Sequence, residues 1–401
     1  MVRRPAAAFL LVLPLVSLSA RARDKEDLKP LEPQASIKVP AGEGYFDEVF
    51  GLDDAGKQLA VLRGDGATFS KLELYDLETK PPKVTATFEP PNKNLIITRI
   101  EVLPPGKGLI LIGREKADEG APLRALLVDA SGKVVAKAGP AAAFDRPPSD
   151  GTARADLLVG YDRKAGAKGA EATYTVTPYT LATLAAGKAR SYHTDVAGEL
   201  KGPGVRLIGF YEGYTRILAE RLGAYDKASD MRQPPKRVVI DALSGKTTAE
   251  TPIADPVGWA ITGAFRRDHP GQSVFVDLNQ DGSGVDVIDA MGKKNPAALE
   301  VPFRLYDPKS LLYEEGPAPN ALTFGIAVDP LNPDAIKRKK AEMPMLDLYA
   351  ADTTDGMVKA RGRIFTPRPV TYRVRAHTLV VLKRFKSFAR GGDEFQIFEL
   401  R

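Results

Sequence analysis

One pattern recurs along this chain at a spacing that few folds use. An apolar strand ending in Asp or Tyr runs into a turn of Thr, Ser or Gly with Lys, and a further strand follows. The copies are LELYDLETKPPKVTATF from Leu72, ALLVDASGKVVAKAG from Ala125, RVVIDALSGKTTAETP from Arg237, VDVIDAMGKKNPAALEV from Val285 and LDLYAADTTDGMVKARG from Leu346, with a weaker one, TYTVTPYTLATLAAGKARSY, from Thr173. The equivalent positions Asp76, Asp129, Tyr179, Asp241, Asp289 and Ala350 lie 53, 50, 62, 48 and 61 residues apart. A second pairing precedes each copy, seen best in GLDDAGKQLAVL from Gly51, EVLPPGKGLILI from Glu101 and FRRDHPGQSVFV from Phe265. Asp-Gly and Pro-Gly are compact hairpin connections. Two hairpins per ~50 residues make a four-stranded unit that buries its faces only by stacking on its neighbours.

The two ends of the chain say how the stack finishes. VTYRVR, TLVVLKRF and DEFQIFEL, within 370–401, read as three antiparallel strands joined by a tight turn at Ala376-His377 and a loop at Gly391-Gly392. A fourth strand is missing there, and Ala35 to Pro40 is a lone strand-like run before the first complete unit. Pairing the two removes an open edge. The expected fold is therefore all-β: a seven-bladed β-propeller of four-stranded antiparallel blades, closed by an N-terminal strand that completes the C-terminal blade. The blades are expected near 45–89, 95–140, 144–196, 205–254, 258–303, 305–366 and 370–401 with 35–40, together forming one domain over 35–401. An α/β alternative fails, because the best helical candidates, Thr180 to Ala186 and Asp334 to Glu342, are too short to cover a parallel sheet. The repeats resemble the WD-like propeller repeats of periplasmic Tol-type and related bacterial proteins. That resemblance implies a fold and leaves the function open, since propellers host enzymes and binding platforms alike.

Residues 1–22 read as an export signal. Arg3 and Arg4 precede an apolar run from Ala6 to Leu18, and Ala20-Arg21-Ala22 offers a cleavage site after Ala22. The run is well short of the ~20 residues of a membrane span, so no transmembrane segment is expected in the mature chain. The chain has no cysteine, which excludes a lipid-attachment cysteine and suits a periplasm or cell exterior without disulfides. Residues 23–34, RDKEDLKPLEPQ, read as a flexible tether. Cleavage would lower the formal charge from +6 to +3, so charge placement matters more than the total.

Because blade strands run up and down, each second-to-third-strand loop shares a face with the connections between blades. The two long spacings place insertions in that loop type, at Leu222 to Arg237 in the fourth blade and Asp329 to Pro344 in the sixth. Loops of this face are also basic: Lys337, Arg338, Lys339 and Lys340; Lys227, Arg232, Lys236 and Arg237; Arg163, Lys164 and Lys168; and Lys383, Arg384, Lys386 and Arg390. The expected partner is an envelope protein or an anionic lipid or glycan, and no nucleic-acid partner is expected. The function expected is a binding or assembly scaffold.

Asp277, Asn279, Asp281 and Asp286 place oxygens at near-alternate positions around Gly282 and Gly284, a pattern suited to Ca2+. A hairpin turn on Asp281-Gly282 explains the same residues. Catalytic constellations are sparse. His193, His269 and His377 lack metal-ligand spacing, and Gly245-Lys246-Thr247 lacks the upstream glycine of a phosphate loop. The alternative function is a carbohydrate-active hydrolase or lyase using acids of the innermost strands: Asp47, Glu48, Glu101, Glu212, Glu314 and Glu315. Arg99, Arg373 and Arg375 are placed to neutralise such acids as ion pairs.

Overall fold

A computed structural model of the chain describes residues 30–38, 44–64, 69–89, 91, 95–115, 120–147, 156–166, 172–194, 199–200, 205–211, 213–221, 225–229, 231–232, 236–252, 274–278, 284–289, 294–298, 312–315, 321–327, 345–352, 358–365, 371–383 and 394–400. The first strand, β1 (Ala35–Lys38), is followed by a sheet of β2 (Gly44–Leu52), β3 (Gln58–Gly64), β4 (Phe69–Asp76) and β5 (Lys83–Phe88). The second sheet is β6 (Leu95–Val102), β7 (Leu109–Glu115), β8 (Leu123–Val128) and β9 (Val134–Ala141). The third is β10 (Ala143–Asp145), β11 (Leu157–Ala165), β12 (Ala172–Thr180) and β13 (Arg190–Thr194). A short β14 (Glu199–Leu200) joins it to the fourth, made of β15 (Val205–Tyr211), β16 (Arg216–Arg221), β19 (Lys236–Asp241) and β20 (Thr247–Pro252). Between β16 and β19 stands a separate hairpin of β17 (Tyr225–Asp226) and β18 (Met231–Arg232). The fifth sheet shows β21 (Val274–Leu278), β22 (Gly284–Asp289) and β23 (Lys294–Ala298). The sixth has β24 (Leu312–Glu315), β25 (Ala321–Ala327), β26 (Met345–Asp352) and β27 (Val358–Phe365). The last contains β28 (Thr371–Arg375), β29 (Thr378–Lys383) and β30 (Glu394–Glu399), with β1 paired outside β30.

Every sheet is antiparallel and, apart from that last pairing, every sheet runs in chain order. Neighbouring sheets meet through their first strands, β2 lying against both β6 and β28, and β24 against β28. The apolar clusters lie between sheets rather than within them. One joins Val49, Leu62 and Leu72 to Leu95, Ile100 and Leu111 of the next sheet, and others join Phe144 and Leu158 to Ile110, and Tyr372 and Val374 to Leu348. Alternation explains this: Leu59 and Val61 face the last blade while Ala60 and Leu62 face the second. Gly51 sits where β2 approaches the backbone of Ile100 so closely that a β-carbon would collide with it. The molecule is a β-propeller, and the grouping of its described strands is consistent with seven blades.

The repeated aspartates have a shared local role. Asp76 Oδ1 accepts the N–H of Glu78 at 2.8 Å, and Asp241 Oδ1 that of Ser244 at 2.6 Å. Asp129 Oδ1 accepts the N–H groups of Ser131 and Lys133 at 2.9 and 3.0 Å and the Ser131 hydroxyl at 2.6 Å. Each carboxylate thus closes the turn between the third and fourth strands. The Ser131 hydroxyl bond, followed by the backbone bond from Lys133, holds the Asp129 carboxyl below its ordinary value. A depressed folded-state value means the contribution is present above the unfolded carboxylate range and is lost as pH falls through the folded value. Asp129→Asn is therefore expected to flatten the acid limb of the melting-temperature profile below about pH 4, as measured by scanning calorimetry. An unchanged acid limb would remove that role from Asp129.

The tether expectation needs correction for residues 30–34. Leu31 N donates to Arg363 O at 2.8 Å, Gln34 N to Ile397 O at 2.8 Å, and Gln34 Nε2 to Glu399 Oε2 at 2.5 Å. Leu31 packs against the cluster between the last two blades, over Gly362, where a β-carbon would stand 2.5 Å from Leu31 Cγ. One leucine meeting one bare glycine pins the segment across the sixth and seventh blades. Residues 1–29 lie outside the described residues, as do His269 and the helix candidate at Asp334 to Glu342. The other helix candidate, at Thr180 to Ala186, begins as the last residue of β12 and continues as the turn that follows it.

Candidate functional site

The strand order defines two ends. One end carries the first-to-second and third-to-fourth turns, which are short in the first blade (Asp53 to Lys57) and the last (Ala376-His377). Here a charged network joins successive blades. Arg99 of β6 donates through Nε and Nη2 to Glu101 Oε1 at 2.6 and 2.5 Å, and through Nη1 to Asp145 Oδ1 at 2.6 Å. Arg146, only 1% exposed, donates its backbone N–H to the same Asp145 oxygen at 2.8 Å. Its guanidinium grips Asp54 with a fork, Nη1 to Oδ1 at 2.9 Å and Nη2 to Oδ2 at 2.6 Å. Asp54 belongs to the first blade and Arg146 to the third, so the pair spans the second.

The fourth blade closes on the same region. A β-carbon at Gly213 would meet Pro147 Cα at 2.7 Å, so that turn rests directly on the residue after Arg146. Tyr214 beside it is buried. Burial raises its hydroxyl well above the usual range, the Asp145 carboxylate adding to the rise and Arg99 opposing it. Asp53 is buried too, its Oδ1 accepting the N–H groups of Lys57 and Gln58 at 2.6 and 2.8 Å. Burial pushes its carboxyl up, against the pull of those two bonds. Between the last blade and the first, Gly56 at φ +68° lies under Arg375 O and Thr378, where a β-carbon would come within 2.6 Å. Segments of five consecutive blades are thus locked together at this end.

Of the acids named for glycosidic chemistry, Glu101 is buried and held by Arg99, so it offers no second carboxylate across an open channel. Asp47 and Glu48 lie on β2 and Glu314 and Glu315 on β24. Glu212 falls outside the described residues. Asp54, Asp145 and Arg146 went unnamed from sequence; Asp145-Arg146 between an apolar strand and Pro147-Pro148 was the available signal.

The opposite end carries the second-to-third connections. The fourth blade's insertion is the β17–β18 hairpin, with exposed Lys227 in its turn and Arg232 on β18. Lys236 and Arg237 begin β19. Lys236 Nζ lies 3.4 Å from Glu250 Oε2, and Arg221 also pairs with Glu250, so part of that charge is shared inside the protein. Arg163 and Lys164 are exposed at the end of β11, and Lys383 ends β29 half-buried. Lys168, Lys337, Arg338, Lys339, Lys340, Arg384, Lys386 and Arg390 lie outside the described residues. Asp277 of β21 and Asp286 of β22 are register partners, and Asn279 and Asp281 lie outside the described residues between them. His193 Nδ1 meets Thr173 Oγ1 at 2.9 Å, and His377 Nδ1 meets Leu400 O at 3.1 Å, the places of surface and turn residues.

No protein-family model matches the chain, and no curated protein matches it. Among solved structures it is similar to the β-propeller domain of the Trilobed protease from Pyrococcus furiosus, at 10% identity, 90% coverage of this chain, 98% of that chain and a TM-score of 0.39. It is similar to Saccharomyces cerevisiae Sqt1 at 10% identity, with 93% and 89% coverage and a TM-score of 0.37. It is also similar to the WD40 domain of SCAP from fission yeast at 9% identity, with 91% and 87% coverage and a TM-score of 0.38. These likenesses concern the fold alone, and the strand order above is what assigns it.

Proposed function

We propose that this chain is an exported binding or assembly scaffold of the cell envelope, whose long-looped face takes an anionic partner such as a lipid head group, a glycan or an acidic protein. One contrast between the two ends supports the reading. The short-turn end is locked by Asp54–Arg146 and Arg99–Glu101–Asp145, while the other end projects a hairpin bearing exposed Lys227 beside strands that end in basic residues. Export rests on the Arg3-Arg4 and apolar pattern of residues 1–22. No helix among the described residues is long and apolar enough to cross a membrane.

Binding of the full mature chain to phosphatidylglycerol-containing vesicles, against pure phosphatidylcholine, tests the polarity of the partner. A basic residue near an anionic surface contributes about 1 kcal/mol, so replacing Lys337, Arg338, Lys339 and Lys340 with Ser is expected to weaken binding by roughly a thousandfold at low salt. Binding that is absent at low salt, or that ignores both salt and the replacement, would return these loops to ordinary solvated surface.

A further inference from the structure

The second strands of four blades carry a cation at one shared position. They read QLAVLR (Gln58 to Arg63), LILIGR (Leu109 to Arg114), RILAER (Arg216 to Arg221) and TLVVLK (Thr378 to Lys383). In β11 the cation, Arg163, comes one residue later. Each second strand runs from the short turns toward the long connections, so all five cations stand at the long-looped end. The third strand returns with more of the same sign. Lys71 is the register partner of Arg63, Lys236 of Arg221, and Arg124 pairs opposite Gly113 beside Arg114.

Like charges directly opposite across a sheet are destabilising. Two blades meet this in one way: Glu73 takes Arg63 at 2.5 Å and Lys71 at 3.2 Å, and Glu250 takes Arg221 and Lys236. Two cations converging on one carboxylate recurs in the first and fourth blades. In the third blade the Arg163 guanidinium lies 5.9 Å over the ring of Tyr174, its cross-strand partner. Tyr192 is next in that row, and both rings are half-buried.

We propose that the strand-end cations Arg114, Arg163, Arg221 and Lys383 form the floor of a site for a linear acidic glycan laid across the long-looped face, with Arg63 buried on Glu73 below it. The proposal rests on the anionic-partner reading above and adds its class. A flat membrane meets loop tips first, whereas a single chain reaches strand ends recessed behind the hairpin insertion. Three of these four cations are Arg, whose planar fork matches carboxylate, sulfate or phosphate. Half-buried Tyr174 under the Arg163 guanidinium adds a ring with a polar edge, which suits a sugar, whereas Tyr192 donates its hydroxyl to Ala242 O and packs on Phe210. These cations also have partners within the protein, so an incoming anion shares or exchanges them.

The test uses the full mature chain and a labelled heparin-derived octasaccharide, followed by fluorescence anisotropy, with phosphatidylglycerol vesicles and an oligoglutamate peptide as separate arms. The triple variant Arg114→Gln, Arg163→Gln, Arg221→Gln is expected to weaken octasaccharide binding on the order of a hundredfold. Its logarithmic salt dependence should become shallower by roughly two to three. If the triple variant melts lower than wild type, Arg163→Gln alone, at an exposed position, should still weaken binding about fivefold. Octasaccharide binding untouched by these changes yet lost on replacing Lys337 to Lys340 overturns the floor and leaves the scaffold reading standing. Binding of vesicles or oligoglutamate in preference to the octasaccharide overturns the glycan. Failure of all three probes at low salt overturns both readings.

Discussion

Chains beginning at residue 30, 34 and 39 are expected to fall in stability stepwise, with the last melting about six degrees or more below the first. The first step removes Leu31, which packs over Gly362 and between the last two blades. The second removes β1, whose register runs from Ala35 opposite Ile397 to Lys38 opposite Glu394, and with it Ile37, 7% exposed among Phe395, Val380 and Leu59. Burying a side chain of either kind is worth about 1.5–3 kcal/mol. Each lost strand hydrogen bond adds about 0.5–1.5 kcal/mol, so a loss of roughly 5 kcal/mol or more is expected. That is a large share of an ordinary folding free energy of about 5–15 kcal/mol. Urea unfolding of the three chains measures it. Equal midpoints for all three would mean that the ring does not depend on its N-terminal strand.

The parts of this fold that the sequence makes legible are those set by local chemistry. Asp76, Asp129 and Asp241 mark third strands because an aspartate closing the following turn is a local hydrogen-bonding device, readable from a few residues. The missing outer strand of the last blade follows from counting, and β1 fills it. Leu31 is not legible, because one leucine among charges and prolines has no period, and its partner is the absence of a side chain at Gly362. The Asp54–Arg146 pair is not legible either: its members lie 92 residues apart and only ring geometry brings them together. The basic loops draw attention through their number of charges. The strand-end cations carry fewer per blade and emerge only when second strands are aligned with one another. Whether a given acid lines an open channel depends on its neighbours in three dimensions, as Glu101 beneath Arg99 illustrates.

The Asp54–Arg146 pair also makes the second large prediction, and its two halves should cost different amounts. Arg146 is 1% exposed, whereas the Asp54 side chain keeps 21% of its surface in solvent. Asp54→Ala removes the fork that neutralises a guanidinium which water cannot reach, and breaking a buried pair in this way costs about 3–5 kcal/mol. Arg146→Met removes the charge that needs burial, keeps most of the volume, and leaves a carboxylate that can hydrate; about 1–2 kcal/mol is expected, near the cost of a few lost hydrogen bonds. The double variant should lie close to Arg146→Met alone, giving a coupling equal in size to the Asp54→Ala cost, about 3–5 kcal/mol. The measurement is urea unfolding of the four proteins at constant slope. The outcome also bears on which end of the propeller works. A cost for Asp54→Ala below about 1 kcal/mol would show that solvent replaces the lost carboxylate, so that the short-turn end admits water. The expected larger cost marks a dry, locked short-turn end.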